Sequence, residues 1–343
     1  MTSNYKEIVK LGIDLYNGNV EKYSDKQANE ALRNALLELT GGSTVLDYRA
    51  MRDGKYNGMF TIIETIIANT VPTGLQDSDF FNALVEFRNV ALGDENLFVV
   101  EDSTLFHVDT IADGTQAIRR QRIDSAAEVP VKTSFHGVRI YEEVSRILAG
   151  RVDFNKLIDK VIASEREQIM TDIYSLWYNA TDAQLGGGVF YPGYSSAGTY
   201  DEDTLIDLVA HVEAAAGGRP ATIIGTKKAL KPLIPSIIGP DGKNTVDAQG
   251  YVGKFYGTDT VCVPQRHVNG TTNFVFDDKM ITVVANGDGG KPIKFVYEGN
   301  PLIIPVDAKD NMDLTQEYFL RDCWGGALVT AGGNTGIGRY QFA

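Results

Sequence analysis

The chain has 343 residues, 43% of them hydrophobic and 22% charged, and its formal net charge at pH 7 is −13. A negative field of this size repels phosphates, which excludes proteins whose main surface grips nucleic acid or an anionic membrane. Cys262 and Cys323 are the only cysteines, which excludes a disulfide framework and fits a reducing compartment.

The first part of the chain, about residues 1–94, predicts a helical arm. It lacks the basic and apolar blocks of a signal peptide, and no stretch of the chain reaches the roughly 18 apolar residues of a membrane span. Ser24 and Gln27 match the capping-box pattern, which predicts the start of one helix. A second helix ends at Val71–Pro72, and a third spans about Asp79 to Leu92. Polar loops separate these amphipathic helices, so we expect another molecule to bury them.

A change of character over about residues 95–134 predicts an extended hairpin. The segment is rich in Val, Ile and Thr, and Asp113–Gly114 marks the turn. Its apolar residues are too sparse for a pair of core strands, and an exposed two-stranded ribbon is only marginally stable alone. We therefore expect another molecule to cover this hairpin.

The hairpin carries opposite charges on its two limbs, and three interpretations remain open. They are cross-strand pairing on a solvated ribbon, bidentate pairing of arginines with carboxylates of a neighbouring subunit, and a nucleic-acid patch, for which interleaved aromatic residues are lacking. As a hypothesis, we take the charged residues as subunit-interface candidates: Glu101, Asp102 and Asp109 on the outgoing limb, and Arg119, Arg120 and Arg122 on the return limb.

Residues 135–184 predict a strand near Val138 and Tyr141, a short helix that ends at Gly150, and one long helix. We expect Asp153 to cap this helix, and an apolar stripe runs along it to Trp177. About 25 residues at 1.5 Å each give a rod of roughly 38 Å. Such a rod needs a long partner surface.

Residues 185–270 predict an α/β unit, with a helix from Asp201 to Ala216, and residues 271–343 predict returning strands. Gly325–Gly326 indicates a β-bulge. Further on, Gly333, Gly336 and Gly338 stand in the reverse order of a dinucleotide-binding loop, with too few residues after them for the required helix. We interpret that stretch as a turn between two strands of one sheet.

Residues that could carry chemistry are scattered. No histidine stands at a metal-ligand spacing from another ligand, and no Gly–Lys pair belongs to a P-loop. The segment 193–198, "GYSSAG", misses a nucleophile elbow by one residue and is interpreted as a flexible surface loop. The carboxylates Asp201, Glu202 and Asp203 complement a helix dipole. The sequence thus predicts no catalytic, cofactor-binding or metal site, and a protein that is not an enzyme. The four histidines are His107, His136, His211 and His267.

The order of these parts resembles the tailed-bacteriophage major capsid protein of the Hong Kong 97 type. The resemblance rests on a helical arm, a long charged hairpin, a long helix ending "IYSLWYNA", the α/β unit that begins "DEDTLIDLVAHVEAAAGG", and two terminal strands. It implies an α+β fold with an N-terminal arm (1–94), an extended loop (95–134), a peripheral domain with a spine helix (135–184), an axial domain (185–270) and returning strands (271–343).

The resemblance also implies a function and partners. Subunits of this family assemble as pentamers and hexamers into an icosahedral shell around double-stranded DNA, which they hold without sequence-specific contact. We expect a virion location, assembly in the host cytoplasm, a separate scaffolding protein, a portal, decoration proteins and no membrane. Some family members cross-link through a lysine of the extended loop. Here the only lysine of that segment is Lys132, at its base, so we expect no cross-linking.

Two alternatives stay open on the sequence. An encapsulin-like nanocompartment shell has the same architecture but encloses enzymes, and it needs a groove for a cargo peptide. A cytosolic α/β enzyme that uses residues 200–265 would be a monomer or small oligomer, and it would leave the long polar hairpin unexplained.

Overall fold

The computed structural model describes residues 3–16, 25–39, 57–76, 78–94, 96–100, 106–111, 120–121, 127–142, 154–181, 195–234, 246, 248–268, 270–286, 290–306, 316–329 and 336–342. The helices are α1 (Ser3–Tyr16), α2 (Asp25–Leu39), α3 (Asn57–Gln76), α4 (Asp79–Leu84), α5 (Phe154–Thr181), α6 (Glu202–Ala215) and α7 (Lys227–Leu230), which a 3-10 turn (Lys231–Leu233) extends. None of these helices is long and apolar enough to cross a membrane.

The strands of the described ranges form two large sheets and one hairpin. They are β1 (Val85–Val90), β2 (Leu97–Val100), β3 (Ala127–Pro130), β4 (Ser134–Glu142), β5 (Ser195–Gly198), β6 (Thr222–Gly225), β7 (Lys254–Phe255), β8 (Thr258–Cys262), β9 (Met280–Ala285), β10 (Ile293–Glu298), β11 (Leu302–Val306), β12 (Gln316–Leu328) and β13 (Gly336–Phe342). A five-stranded sheet has the order β1-β10-β12-β11, with β4 also paired to β12. A six-stranded sheet has the order β5-β13-β9-β6-β8-β7, and β2 pairs with β3.

The long helix α5 lies between the two large sheets and joins them. Toward the six-stranded sheet, Trp177 donates from Nε1 to the Thr282 hydroxyl at 3.3 Å. Toward the five-stranded sheet, Trp324 donates from Nε1 to Asp172 of α5 at 3.0 Å. Because buried indole N–H groups need partners, both contacts fix the rotation of α5. The predicted long helix is confirmed, and it runs to Thr181.

The N-terminal helices pack against α5 of the same chain. Ile8 of α1, Leu32 of α2 and Ile66 of α3 are buried in one apolar cluster with Ile169 of α5. The expectation that these helices need another molecule for their burial is therefore wrong for the described residues. The sequence showed each apolar stripe, but it could not show that α5 would supply the matching surface. The predicted caps Ser24 and Asp153, and the helix that ends at Gly150, lie outside the described residues.

Two predicted helix ends are also wrong. Helix α3 continues past Pro72 to Gln76, because Val71 and Leu75 are fully buried and their burial offsets the hydrogen bond that a proline removes. The next helix stops at Leu84 instead of Leu92. Residues 85–90 form β1, which pairs in parallel with β10, so sheet pairing overrides the local preference.

The glycine pair in β12 makes no bulge. Gly325 lies opposite Val296 and Gly326 opposite Phe295 in an unbroken antiparallel register. A Cβ on Gly325 would lie 2.1 Å from the Lys132 carbonyl oxygen, and one on Gly326 would lie 2.8 Å from Leu176 Cδ1 of α5. The glycines therefore let one chain segment cross the sheet on one face while α5 packs on the other.

The six-stranded sheet carries α6 and α7 on one face, and its other face contributes Ile224 and Val284 to the cluster around α5. The predicted helix over residues 201–216 is confirmed, and the Asp201 side chain caps it by accepting from the Thr204 amide at 3.2 Å. This N-cap confirms the interpretation of the acidic residues as helix-terminal groups.

Two predictions, one about the C-terminal strands and one about residues 195–198, are wrong. Strands β12 and β13 belong to different sheets, so the glycine-rich stretch is no turn within one sheet. Residues 195–198, predicted as a surface loop, form β5 and pair in parallel with β13. Gly336 and Gly338 lie in β13 beneath α6: a Cβ would lie 2.2 Å from the Val212 carbonyl oxygen and 2.6 Å from Leu208 Cδ1, respectively. Gly333 lies outside the described residues.

We predict that Gly336→Ala lowers the free energy of unfolding by about 1–3 kcal/mol, because its Cβ would press on main chain that cannot rotate away. Gly58→Ala in α3 is the matched control, since nothing lies within 4 Å of its added methyl, and it should change stability by less than about 1 kcal/mol. Urea unfolding midpoints measure both. Equal midpoints for Gly336→Ala and the unsubstituted chain would show that α6 does not press on β13.

Candidate interaction surfaces

The hairpin is rooted on the outer face of the five-stranded sheet, the face away from α5. Its root consists of β2, β3 and residues 131–133, with Leu97 opposite Pro130 and Val100 opposite Ala127. Phe98 and Val131 are buried against Val296 of β10 in a small apolar cluster of their own. The predicted hairpin is thereby confirmed at its base, whereas its predicted turn at Asp113–Gly114 lies outside the described residues.

Two cations hold Phe98 in place. The Arg88 guanidinium lies 4.0 Å from the centre of its ring and donates to the Leu97 carbonyl at 3.1 Å. Lys294 is buried, lies 5.8 Å from the same ring and forms an ion pair with Glu86. Burial alone would raise the pKa of Glu86, but its hydrogen bonds and ion pairs with Lys294 and Arg88 lower it. A buried lysine requires such a partner.

Glu298, at the end of β10, ties the root to the sheet. Its carboxylate accepts from the Gly93 amide at 2.8 Å, from Asn96 Nδ2 at 3.3 Å and from the Thr133 hydroxyl at 2.5 Å. The Thr133 and Gly93 hydrogen bonds hold the pKa of Glu298 below its ordinary value. Hydrogen bonds to a charged acceptor are stronger than neutral ones, so this residue joins the chain before the hairpin, the chain after it and β10.

Beyond the root, the described parts of the limbs are exposed. Phe106, Val108 and Ile111 are 54%, 88% and 49% exposed. The Gln121 side chain links the limbs, since it accepts from the His107 amide at 2.7 Å and donates to the His107 carbonyl at 2.6 Å. Three large apolar side chains on one short exposed segment are unusual for a surface that faces only water.

The outer face of the five-stranded sheet is half covered and half open. The root covers β10 and the end of β12. Farther along, Phe135 of β4 and Leu302 and Ile304 of β11 are 57%, 47% and 40% exposed. The Arg321 guanidinium lies 3.6 Å from the centre of the Phe135 ring, and Phe319 lies against Gly137. We call this apolar area, with its arginine, the open face.

The structure describes only two of the six predicted interface residues. Asp109 pairs with His107 at 3.0 Å on its own limb, and Arg120 is exposed. Glu101, Asp102, Arg119 and Arg122 lie outside the described residues, so their role stays a prediction. Sequence reasoning missed the apolar residues of the hairpin and of the open face. In the hairpin the signal was present in Phe106 and Val108, whose side chains alternate with polar ones.

Within the described ranges, no group of three or more His, Cys, Asp or Glu residues could hold a metal ion. His136 stacks on Trp324 at 3.9 Å between ring centres and His267 on Phe274 at 5.2 Å. The α/β unit carries an open groove of about 360 Å³ between α6 and the β7–β8 turn. Its polar lining includes Glu213, which accepts from the Ala221 amide at 3.1 Å, and Asp259, which pairs with Lys254 at 3.1 Å. Both carboxylates thus bind groups of the protein itself.

Comparison with known proteins places the chain in a family. Residues 7–322 match the sequence profile of the family described as "SPbeta prophage-derived putative capsid protein YonB". A search of curated proteins gave no match.

The fold resembles solved capsids. The mature capsid of bacteriophage PhiM1 superposes with a TM-score of 0.51 at 12% identity, over 77% of this chain and 87% of that one. The capsid of the native GTA particle has a TM-score of 0.49 at 13% identity, over 77% of this chain and 89% of that one. The virus-like particle from Pyrococcus furiosus has a TM-score of 0.43 at 11% identity, over 79% of this chain and 96% of that one. At these identities the likeness to the PhiM1 capsid shows a shared fold. The chain therefore belongs to the YonB family of phage capsid proteins and has the Hong Kong 97-like fold of major capsid proteins.

Proposed function

We propose that this chain is a major capsid protein that assembles with copies of itself, as hexamers and pentamers, into an icosahedral shell around double-stranded phage DNA. Membership of a capsid family over residues 7–322 carries the proposal. The role is structural, without catalysis. The proposed locations are the virion capsid and, during assembly, the host cytoplasm. The proposed division of the chain remains arm (1–94), extended loop (95–134), peripheral domain (135–184), axial domain (185–270) and returning strands (271–343).

The proposed contact between subunits joins the two surfaces described above. The hairpin of one copy projects its apolar side chains, and the open face of the next copy offers apolar side chains in return. Burying each large apolar side chain contributes about 1.5–3 kcal/mol. Because hairpin and open face are different surfaces of one chain, their contact is heterologous, the kind of contact that generates a ring of subunits where the rotation between neighbours closes.

Charged residues of the hairpin give this contact its register. Arg119, Arg120 and Arg122 reach carboxylates of the neighbouring subunit, where the fork of a guanidinium pairs with both oxygens. The net charge of −13 fits a shell that encloses DNA without specific contact, since a negative wall does not grip phosphates. Scaffolding, portal and decoration proteins complete the proposed set of partners.

Negative-stain electron microscopy and sedimentation of the purified full-length chain test the proposal, with and without the genes adjacent to its own. We expect closed shells, or pentamers and hexamers. A homogeneous monomer or dimer under every condition would contradict it. Shells that copurify with an enzyme instead of DNA would identify the encapsulin-like alternative.

We predict that replacing Arg119, Arg120 and Arg122 by Glu leaves the subunit folded, as its circular dichroism reports, but lowers the yield of shells at least tenfold. The matched control replaces the same residues by Lys, which keeps the charge but loses the planar fork, and it should assemble with an intermediate yield. Normal shell yield from the Glu variant would mean that these arginines do not anchor the interface.

We predict that Glu298→Gln loosens the hairpin root, because an amide cannot accept from all three donors as a carboxylate does. Hydrogen exchange at Gly93, Asn96 and Thr133 should accelerate, and shell yield should fall several-fold. Asp94→Asn, on the same turn but exposed, removes the same charge and should change neither readout.

The lowered pKa of Glu298 sets the pH dependence of the same contact. The stabilisation that ionised Glu298 contributes is fully present above the ordinary pKa range of glutamate, and it is lost as the pH falls through the lowered pKa of Glu298. Protection at these three amides that does not decrease on acidification would rule out Glu298 as the anchor.

A further inference from the structure

A pair of carboxyl groups lies buried where α5 meets the inner face of the five-stranded sheet. Glu165 of α5 is 4% exposed and Asp322 of β12 is 3% exposed. Among the residues that the structure describes, Oε2 of Glu165 has no hydrogen-bond partner. An ionised carboxylate in such a place costs far more than a protonated one. The interface between the long helix and the sheet therefore favours a proton on Glu165.

Asp322 is the member of the pair that holds the negative charge. It accepts a hydrogen bond from the Tyr297 hydroxyl and one from the Cys323 amide, the latter at 2.9 Å. Burial, followed by the charge of Asp322, raises the pKa of Glu165 from 4.5 to about 8. Burial raises the pKa of Asp322 to about 6, although its two hydrogen bonds act to lower it. Near pH 7 the two carboxyls thus hold one proton between them.

Other titratable and charged groups lie on the elements that pack here. Arg166 of α5 donates to the Gly74 carbonyl, and Asp172 of α5 accepts from Trp324. Glu64 of α3 accepts from the Ile303 amide at 2.7 Å. His136 of β4 lies opposite Asp322 in the strand register. The remaining groups are Cys323 of β12, Tyr297 of β10, and Arg266 after β8, which lies beside Glu167.

We propose that Glu165 and Asp322 form a proton-dependent brace between α5 and the five-stranded sheet. With a proton on Glu165 the helix lies against β12. When that proton leaves, two negative charges face each other in a buried site, and the contact between helix and sheet weakens. Because α5 also holds the six-stranded sheet, the brace connects the protonation of one residue to the packing of both sheets.

The direction of the pH dependence follows from the raised values. The folded chain keeps a proton on Glu165 that the unfolded chain releases, so the contribution of Glu165 to stability is greatest below about pH 4.5 and decreases as the pH rises toward about 8. The raised pKa of Asp322 also makes stability decrease as the pH rises, but over a lower pH range than that of Glu165. This trend is opposite to that of Glu298, whose contribution is lost on acidification.

The test compares urea unfolding of the full-length chain and of Glu165→Gln at pH 5, 7 and 8.5. Gln is neutral at every pH and nearly the same shape. We expect the two proteins to agree within about fivefold in their folding equilibrium constants at pH 5, and the variant to exceed the unsubstituted chain at least tenfold at pH 8.5. Glu167→Gln, a carboxylate of the same helix that is half-buried, should keep the pH dependence of the unsubstituted chain.

An unchanged pH dependence in Glu165→Gln would overturn the proposal. Should that variant fail to fold, Asp322→Asn provides the second test, because it removes the charge beside Glu165. The ratio of its folding equilibrium constants at pH 5 and pH 8.5 should be at least threefold smaller than that of the unsubstituted chain. Hydrogen exchange of residues 160–170 in the unsubstituted chain, corrected for intrinsic rates, should increase at pH 8.5 relative to pH 6. Equal corrected rates would likewise overturn the proposal.

Discussion

Packing of one long helix between two sheets is the constraint on which the rest of the molecule depends. Helix α5 buries Ile169 and Ile173 together with residues of the N-terminal helices and of both sheets, so its position fixes theirs. Polar contacts at Asp172 and Trp177 set its rotation. A cluster that draws on nearly the whole length of the chain leaves little freedom between its parts. The open face and the hairpin root are consequently held at a fixed distance, as the proposed contact between subunits requires.

The two faces of the five-stranded sheet make different kinds of contact. The inner face packs on α5 and contains the Glu165–Asp322 pair, whereas the outer face carries the hairpin root and the open face. Alternation of side chains along β12 makes this division possible, since Asp322 points inward and its neighbour Cys323 outward, toward Glu298 at 3.8 Å. One strand therefore connects the interior of the subunit with the surface proposed to meet its neighbours.

Much of the fold could be predicted from local patterns, and the failures have physical causes. The stripe along α5 and the acidic residues at the start of α6 are local features, and both were predicted. β1 was missed because its strand state depends on pairing with β10, more than two hundred residues away in the chain. Gly325 and Gly326 were misinterpreted because a sequence does not show which segments cross each other. Of the site, the charged hairpin residues were visible as a pattern, but the open face arises from β4 and β11, which are far apart in sequence.

The position of β12 in the chain has a consequence for biosynthesis. This strand lies at the centre of its sheet, where it pairs with β4, β10 and β11, and its residues 316–328 follow all three of these partners in the chain. Until they emerge, β4 and β11 have no common partner, and the open face does not exist. Long-range pairing of this kind is slow, and on the nascent chain it cannot begin before β12 has been synthesised. A nascent chain that has not reached residue 328 thus lacks the surface that we propose meets the neighbouring subunit, so that surface forms only after β12 has been made.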